Sequence, residues 1–184
     1  MEEMIQEAER KFKKAVEVTA QEFASMRTGR ASPALLERFA VNYYGTPTPM
    51  NQIANITAPE PRLLVIHPYD KNSIPEIEKA ITQSDLGFVP SNDGEVIRVP
   101  VPPLTEERRK EISKIVRARA EEGRVAIRNV RRDVIEKLRE EEKRGERTKD
   151  DLRRGMDEVQ KLTDKYIGEI DELMKKKIEE IMEI

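Results

Sequence analysis

The chain contains no cysteine and no tryptophan, a single histidine, and only 4% aromatic residues. Lack of cysteine excludes disulfides, thiol catalysis and cysteine-ligated metal. His67, between Ile66 and Pro68, has no second histidine to join it, so a structural or surface role is expected rather than a metal centre. No run reaches the ~20 apolar residues that cross a bilayer. Met1-Glu2-Glu3-Met4 has neither the apolar core of a signal peptide nor transit-peptide character. The formal net charge is only −2, so any nucleic-acid surface must be local. Gly29, Gly45, Gly87 and Gly94 stand singly, and no phosphate-cradling loop or nucleophile elbow is present. No enzyme activity, cofactor or metal is therefore expected.

What is abundant is charge. Charged residues make up 38% of the chain, a mix that suits long solvated helices better than a thick globular core. Proline divides the sequence: residues 1–28 and 105–184 have none, and residues 29–104 hold all eleven. This predicts helix, then a compact mixed insert, then helices. The first helix carries Ile5, Ala8, Phe12, Ala15, Thr19, Phe23 and Met26 on one face, at steps of three and four. Thr105 is a good N-cap for a second helix reaching about Arg144, with Gly145 as the left-handed stop. Such a helix is roughly 60 Å long. Its apolar face holds Ile112, Val116, Ala120, Ile127, Val130, Val134 and Leu138. Gly123 on that face suggests close approach of a neighbour. Thr148 and Asp151 resemble a capping box for a third helix, with near-heptad Leu152, Met156, Val159, Thr163, Tyr166, Ile170, Leu173 and Ile181.

The insert reads as short strands at 41–44, 62–66 and 96–99, the last after an Asn92-Asp93-Gly94 hairpin turn. Ser73 and Glu76 predict a capping box for a short helix through about Ser84, ending near Gly87. Tyr43 and Tyr44 predict a strand running into a proline-shaped turn at Gly45-Thr46-Pro47-Thr48-Pro49. The expected fold is α+β: an elongated three-helix bundle, residues 1–29 and 105–184, with an inserted small domain, residues 30–104. Two chain crossings, near 27–33 and 100–104, join them. Gly29 in one and Pro102-Pro103 in the other are hinge candidates.

Residues 105–139 hold twelve Lys/Arg against seven Asp/Glu, a balance of +5; residues 140–184 hold eleven against fifteen, a balance of −4. At 100° per residue, Lys110, Arg117, Arg124, Arg128 and Arg131 fall within about 60° of one another, flanked by Arg132 and Arg139. Spaced guanidiniums on a rigid rod suit phosphates of folded RNA. The scarcity of aromatics argues against base stacking. The same pattern also fits a solvated face with intrahelical pairs such as Glu121 with Arg117 or Arg124, and charge alone leaves both readings open. Arg27 and Arg30, either side of Gly29, are either crossing-adjacent charges or an extension of the basic surface.

Several collinear segments carry a family resemblance. They are Arg27-Thr28-Gly29-Arg30-Ala31-Ser32-Pro33, Tyr43-Tyr44-Gly45-Thr46-Pro47-Thr48-Pro49, Ser84-Asp85-Leu86-Gly87 and Ile97-Arg98-Val99-Pro100, followed by Pro102-Pro103-Leu104-Thr105-Glu106-Glu107-Arg108-Arg109, Val125-Ala126-Ile127-Arg128-Asn129-Val130-Arg131-Arg132-Asp133 and Val159-Gln160-Lys161-Leu162-Thr163-Asp164. Together they resemble bacterial ribosome recycling factors over nearly the whole chain. The resemblance implies an L-shaped molecule with a three-helix bundle and a β/α/β sandwich domain. It implies a cytoplasmic monomer without catalytic site or cofactor that binds the post-termination ribosome, the bundle lying across the peptidyl-transferase region of the large subunit. Elongation factor G, with GTP, then drives subunit separation and release from messenger RNA. By motif position, Arg131 is the first expected ribosomal-RNA contact, with Arg128 and Arg132 beside it and Arg27 and Arg30 in support. A helical protein-interaction module with a charged bundle is the alternative, and a hydrolase using helical carboxylates ranks below both.

Overall fold

The structure is a computed structural model and describes residues 1–183. The chain divides into two compact units: Met1–Phe23 with Ser113–Ile178, and Ala24–Ile112 with the segment that begins at Glu179.

The first unit is a bundle drawn from three helices, α1 (Glu2–Ala24), α4 (Glu106–Lys143) and α5 (Lys149–Met182). Its core is made at the spacings the sequence predicts: Phe12 on α1, Ile127 and Leu138 on α4, and Val159 and Ile170 on α5 are fully buried. Val130 is only partly buried, and Met26 lies beyond the end of α1. The ends of the long helices follow local chemistry. Thr105 Oγ1 accepts from the Arg108 amide at 3.1 Å, satisfying a donor that the first turn leaves without a helical partner. Gly145 takes φ +73°, and the Glu146 amide reaches back to the Glu141 carbonyl at 2.9 Å, which stops α4. Thr148 and Asp151 form the reciprocal capping box: Thr148 Oγ1 accepts from the Asp151 amide at 3.0 Å and the Asp151 carboxylate from the Thr148 amide at 3.2 Å.

Tyr166 joins α5 to α1. Its ring lies 5.8 Å from that of Phe12, and its hydroxyl donates to Glu9 Oε2 at 2.7 Å. Burial first, and the Glu9 bond second, push the phenol up to about 12. The folded pKa therefore exceeds that of the unfolded chain, near 10. The resulting stabilisation is complete below pH ~10 and is lost as pH rises through about 12. We expect wild-type unfolding free energy, measured in urea, to fall more between pH 9 and 11.5 than that of Tyr166→Phe, which starts about 1 kcal/mol lower for want of the hydrogen bond. Parallel declines would reject this account.

The second unit contains a hairpin of β1 (Ala40–Tyr43) and β2 (Thr46–Pro49), a one-turn helix α2 (Met50–Ile53), and a four-stranded antiparallel sheet. That sheet has the order β3-β4-β6-β5, with β3 (Ala54–Glu60), β4 (Leu63–Pro68), β5 (Ser91–Asn92) and β6 (Ile97–Pro100). Helix α3 (Ile74–Thr82) buries Ile74, Ile77 and Ile81 into a core shared with Leu36, Met50, Leu64, Ile66, Ile97 and Val99.

Two local expectations are corrected. First, residues 45–49 are not a proline-shaped turn. Only Tyr44 and Gly45 turn, and Thr46–Pro49 is a strand in register with Ala40–Tyr43. Tyr43 pairs with Thr46 across the two-residue loop, so the hydrogen-bonded positions alternate from there. Pro47, opposite Asn42, and Pro49, opposite Ala40, fall at the positions whose amides face away from the partner. A residue without an N–H is tolerated there. Second, Ser73 and Glu76 form no capping box. Ser73 makes no side-chain cap bond, and its hydroxyl donates to the Asp70 carbonyl at 2.5 Å. Asp70 caps the preceding short turn, accepting from the Asn72 amide at 2.9 Å, and α3 ends at Thr82 rather than Ser84.

Candidate nucleic-acid interface

Helix α4 carries the basic stripe, and its members differ in what holds them. Arg117, Arg132 and Arg139 are exposed and have no carboxylate within 4.0 Å among the described residues. Lys110 lies 3.5 Å from Glu106, one helical turn away, an exposed pair of little net strength. Arg128 is half-exposed and contacts Glu121 at 3.0 Å. Arg124 is largely buried, its side chain 15% exposed; Nε meets Asp171 at 2.7 Å and Nη1 meets Glu121 at 3.0 Å. Glu121, held between Arg124 and Arg128, has its carboxyl below the usual range for that reason. Arg131 donates from Nη1 to Gln160 Oε1 at 3.0 Å, and its buried Nε has no partner.

The stripe is thus graded. Arg124 and Arg131 lie at its inner edge and dock on α5, while Arg117 and Arg132 stand outside with their guanidiniums uncommitted. Arg139 is uncommitted as well; Arg117 and Arg132 are 15 residues and so about 22 Å apart along one helix.

Arg27 and Arg30 are also placed differently. Arg27 donates from Nη2 to the Pro102 carbonyl at 2.5 Å and from Nη1 to the Leu86 carbonyl at 3.4 Å, and stacks over the Phe88 ring at 5.2 Å. Partial burial first, and the nearby Arg108 charge second, lower its pKa. It ties the segment after α1 to residues 100–104 inside the second unit. Arg30 is exposed, 3.6 Å from Glu183. Around the hinge candidates, Ala31 donates to the Pro61 carbonyl at 2.6 Å and Val101 to the Arg62 carbonyl at 2.8 Å, so both segments, which lie inside the second unit, are anchored to the β3–β4 turn. Gly29 has no positive φ, and Pro102 and Pro103 are exposed.

Sequence reasoning missed Lys177, buried at a seam position of α5 between Leu173 and Ile181. Its heptad spacing was the available signal; a lysine there is admitted because its long apolar stem packs as a hydrophobe. Among the described residues no group of three or more metal-ligating side chains converges, and no helix is long and apolar enough to cross a membrane.

Helices, sheet and surface together define a class: a chain with a charged three-helix bundle and a small α+β unit. The family model for ribosome recycling factor matches residues 19–182. The ribosome-recycling factor of Pelotomaculum thermopropionicum is 58% identical over 182 residues, covering 99% of this chain and 98% of that protein. That of Carboxydothermus hydrogenoformans is 55% identical over 184 residues and covers both completely. A solution structure of the ribosome recycling factor superposes with a TM-score of 0.79 at 45% identity, covering 100% of this chain and 97% of that one. A second similar structure, with TM-score 0.70, 47% identity and coverage of 99% and 98%, is described as models for the T. thermophilus ribosome recycling factor and the E. coli elongation factor G bound to the E. coli post-termination complex. The chain belongs to the ribosome recycling factor family.

Proposed function

We propose that this protein binds the post-termination ribosome and, with elongation factor G and GTP, promotes its dissociation into subunits, freeing it from messenger RNA for another round. It does so as a cytoplasmic, monomeric, non-enzymatic adaptor. The observation that carries the reading is full-length similarity to recycling factors at 55–58% identity, joined to an arginine-bearing helix with free guanidiniums.

In this reading the bundle, residues 1–29 and 105–184, is the ribosomal-RNA-binding domain, and residues 30–104 form the inserted domain. The contact surface is the stripe of Lys110, Arg117, Arg124, Arg128, Arg131 and Arg132, meeting large-subunit RNA near the peptidyl-transferase region. Arg117 and Arg132 are ready to take phosphates as they stand. Arg128 and Arg131 each exchange one intramolecular bond for a phosphate. Arg27 supports the surface from within, through Pro102, and Arg30 from the surface. Bending at Gly29 and at Pro102-Pro103 lets force delivered to the small domain act on the bundle.

The test uses purified ribosomes stalled after termination. The protein should sediment with them and should split them only when elongation factor G and GTP are both present. Failure to sediment, or splitting without the GTPase, would overturn the reading.

A further inference from the structure

The chain has only four tyrosines; in the second unit Tyr43 and Tyr44 are in ring contact, and Tyr44 bonds to Asp70, the chain neighbour of Tyr69. Tyr44 is 74% exposed and Tyr69 72% exposed. Tyr44 also occupies a position that disfavours it. The β1–β2 loop has two residues, with φ +50° at Tyr44 and +84° at Gly45, as a type I′ turn requires. Asn, Asp or Gly is the usual residue at the first of these, and a bulky aromatic at positive φ is disfavoured. Backbone strain of this kind persists where function holds it.

The ring is also oriented. Its hydroxyl donates to Asp70 Oδ2, and its ring meets that of Tyr43 edge to face at a centroid distance of 4.6 Å. Tyr43 is itself packed on the hydrophobic core, so the exposed ring stands on a fixed base. Asp70 Oδ1 accepts from the Asn72 amide, which fixes the carboxylate as well. Tyr69 is the next residue in the chain. The nearest cation in sequence, Lys71, is turned to Glu95 at 3.7 Å. This corner of the second unit therefore offers a fixed aromatic face, that of Tyr44, with exposed Tyr69 nearby in the chain, beside an ionised carboxylate without a cation of its own.

We propose that this corner is a docking hot spot for a protein partner and takes an arginine-bearing segment of it, the guanidinium lying on a tyrosine face and pairing with Asp70. Exposed, pre-ordered tyrosines are the residues that dominate protein interfaces. Guanidinium is the cation best suited to aromatic stacking and carboxylate pairing together. RNA fits poorly, because its phosphates would meet Asp70 with no arginine to offset the repulsion. The proposal rests on the reading above and assigns the corner to the elongation factor arm of the reaction.

Tyr44→Asn separates docking from folding. Asparagine suits the turn better, so the thermal midpoint should hold or rise while the ring is lost. At subsaturating elongation factor G, splitting should slow about tenfold, the loss expected of a hot-spot residue. Saturating factor should restore it, and sedimentation with ribosomes should stay within about twofold of wild type. Tyr69→Ala, which leaves the turn untouched, should behave alike, and keeps the test decisive if Tyr44→Asn proves unstable. Full splitting by both variants at low factor overturns the proposal, and so does a parallel loss of ribosome affinity, which would place the corner on RNA. A wild-type protein that neither binds nor splits ribosomes removes the functional reading and the corner with it.

Discussion

Gly123→Leu should lower the thermal midpoint by about 6–12 °C, a destabilisation of roughly 3 kcal/mol for a chain of this size. A Cβ at position 123 would stand 2.6 Å from Thr19 Oγ1 and 2.9 Å from Ile170 Cδ1. Both neighbours would have to shift, Thr19 by giving up its present hydrogen bond and Ile170 by changing rotamer within the core. Thr19 is 3% exposed, and its hydroxyl is held on the Ala15 carbonyl at 2.9 Å; Ile170 is fully buried. The better helix propensity of leucine returns only about 1 kcal/mol. Gly168 supplies the control, because nothing lies within 4 Å of a Cβ there. Gly168→Ala should raise stability by a few tenths to about 1 kcal/mol through propensity alone. Thr19→Ala should also recover part of the loss in Gly123→Ala, since it removes the nearer atom; that coupling is read from the double-mutant cycle. Equal midpoints for wild type and Gly123→Leu would mean that α1, α4 and α5 do not close on this glycine.

That glycine shows why the bundle was legible in the sequence. Apolar steps of three and four marked all three helices, and a glycine on an apolar face has few other physical explanations. Helix ends were readable for the same reason: Thr105, Gly145 and the Thr148–Asp151 pair act through bonds spanning three or four residues, and local chemistry decides them. The sheet unit was harder, because its strands are short and their pairing is set by contacts between distant segments. Proline-rich Thr46–Pro49 was read as turn because proline removes a donor, yet in an edge strand every second amide needs none. Ser73 matched a capping-box spacing, but Asp70 three residues earlier competes for the same turn and wins with a carboxylate.

The candidate interface was legible in position and not in commitment. A helical wheel puts Arg124 and Arg131 within the stripe, with Arg132 and Arg139 flanking it, but does not show that Asp171 and Gln160 of α5 reach across to them. Arg27 looked like a free charge next to a glycine. Its stacking on Phe88 and its bond to Pro102 join residues 61 and 75 positions away, a separation no local pattern reports. Exposed Tyr44 carried the opposite problem. A Tyr-Gly pair between two strands is a weak turn signal, and the strain in it becomes visible only with the backbone angle in hand.

The largest functional effect is expected from reversing two of the three uncommitted arginines, Arg117 and Arg132, together. Arg117→Glu/Arg132→Glu should weaken ribosome binding by two to three decades, roughly 3–4 kcal/mol, because two phosphate contacts are lost and two repulsions are added. Both side chains are exposed and unpaired among the described residues, so the fold should tolerate the change within about 0.5 kcal/mol. The measurement is a series of binding isotherms from low to high salt. Each lost phosphate contact should reduce the slope of log K against log salt by about 0.7–0.9, so the milder pair Arg117→Ala/Arg132→Ala should flatten it by roughly 1.4–1.8. Arg119→Glu is the control, one reversal against two: it lies off the stripe and is engaged with Glu122 at 3.1 Å and Glu22 at 3.6 Å. A charge reversal there should change the salt slope little while costing stability through two like-charge contacts. Arg131→Ala is a poorer probe than its position in the stripe suggests. It breaks the Gln160 bond and removes a half-buried side chain, so a loss of binding would carry a loss of stability with it. If Arg119→Glu, with half the charge change, lowers log K and the salt slope by half as much as the double reversal, only overall charge matters and the stripe is not the ribosome-facing surface.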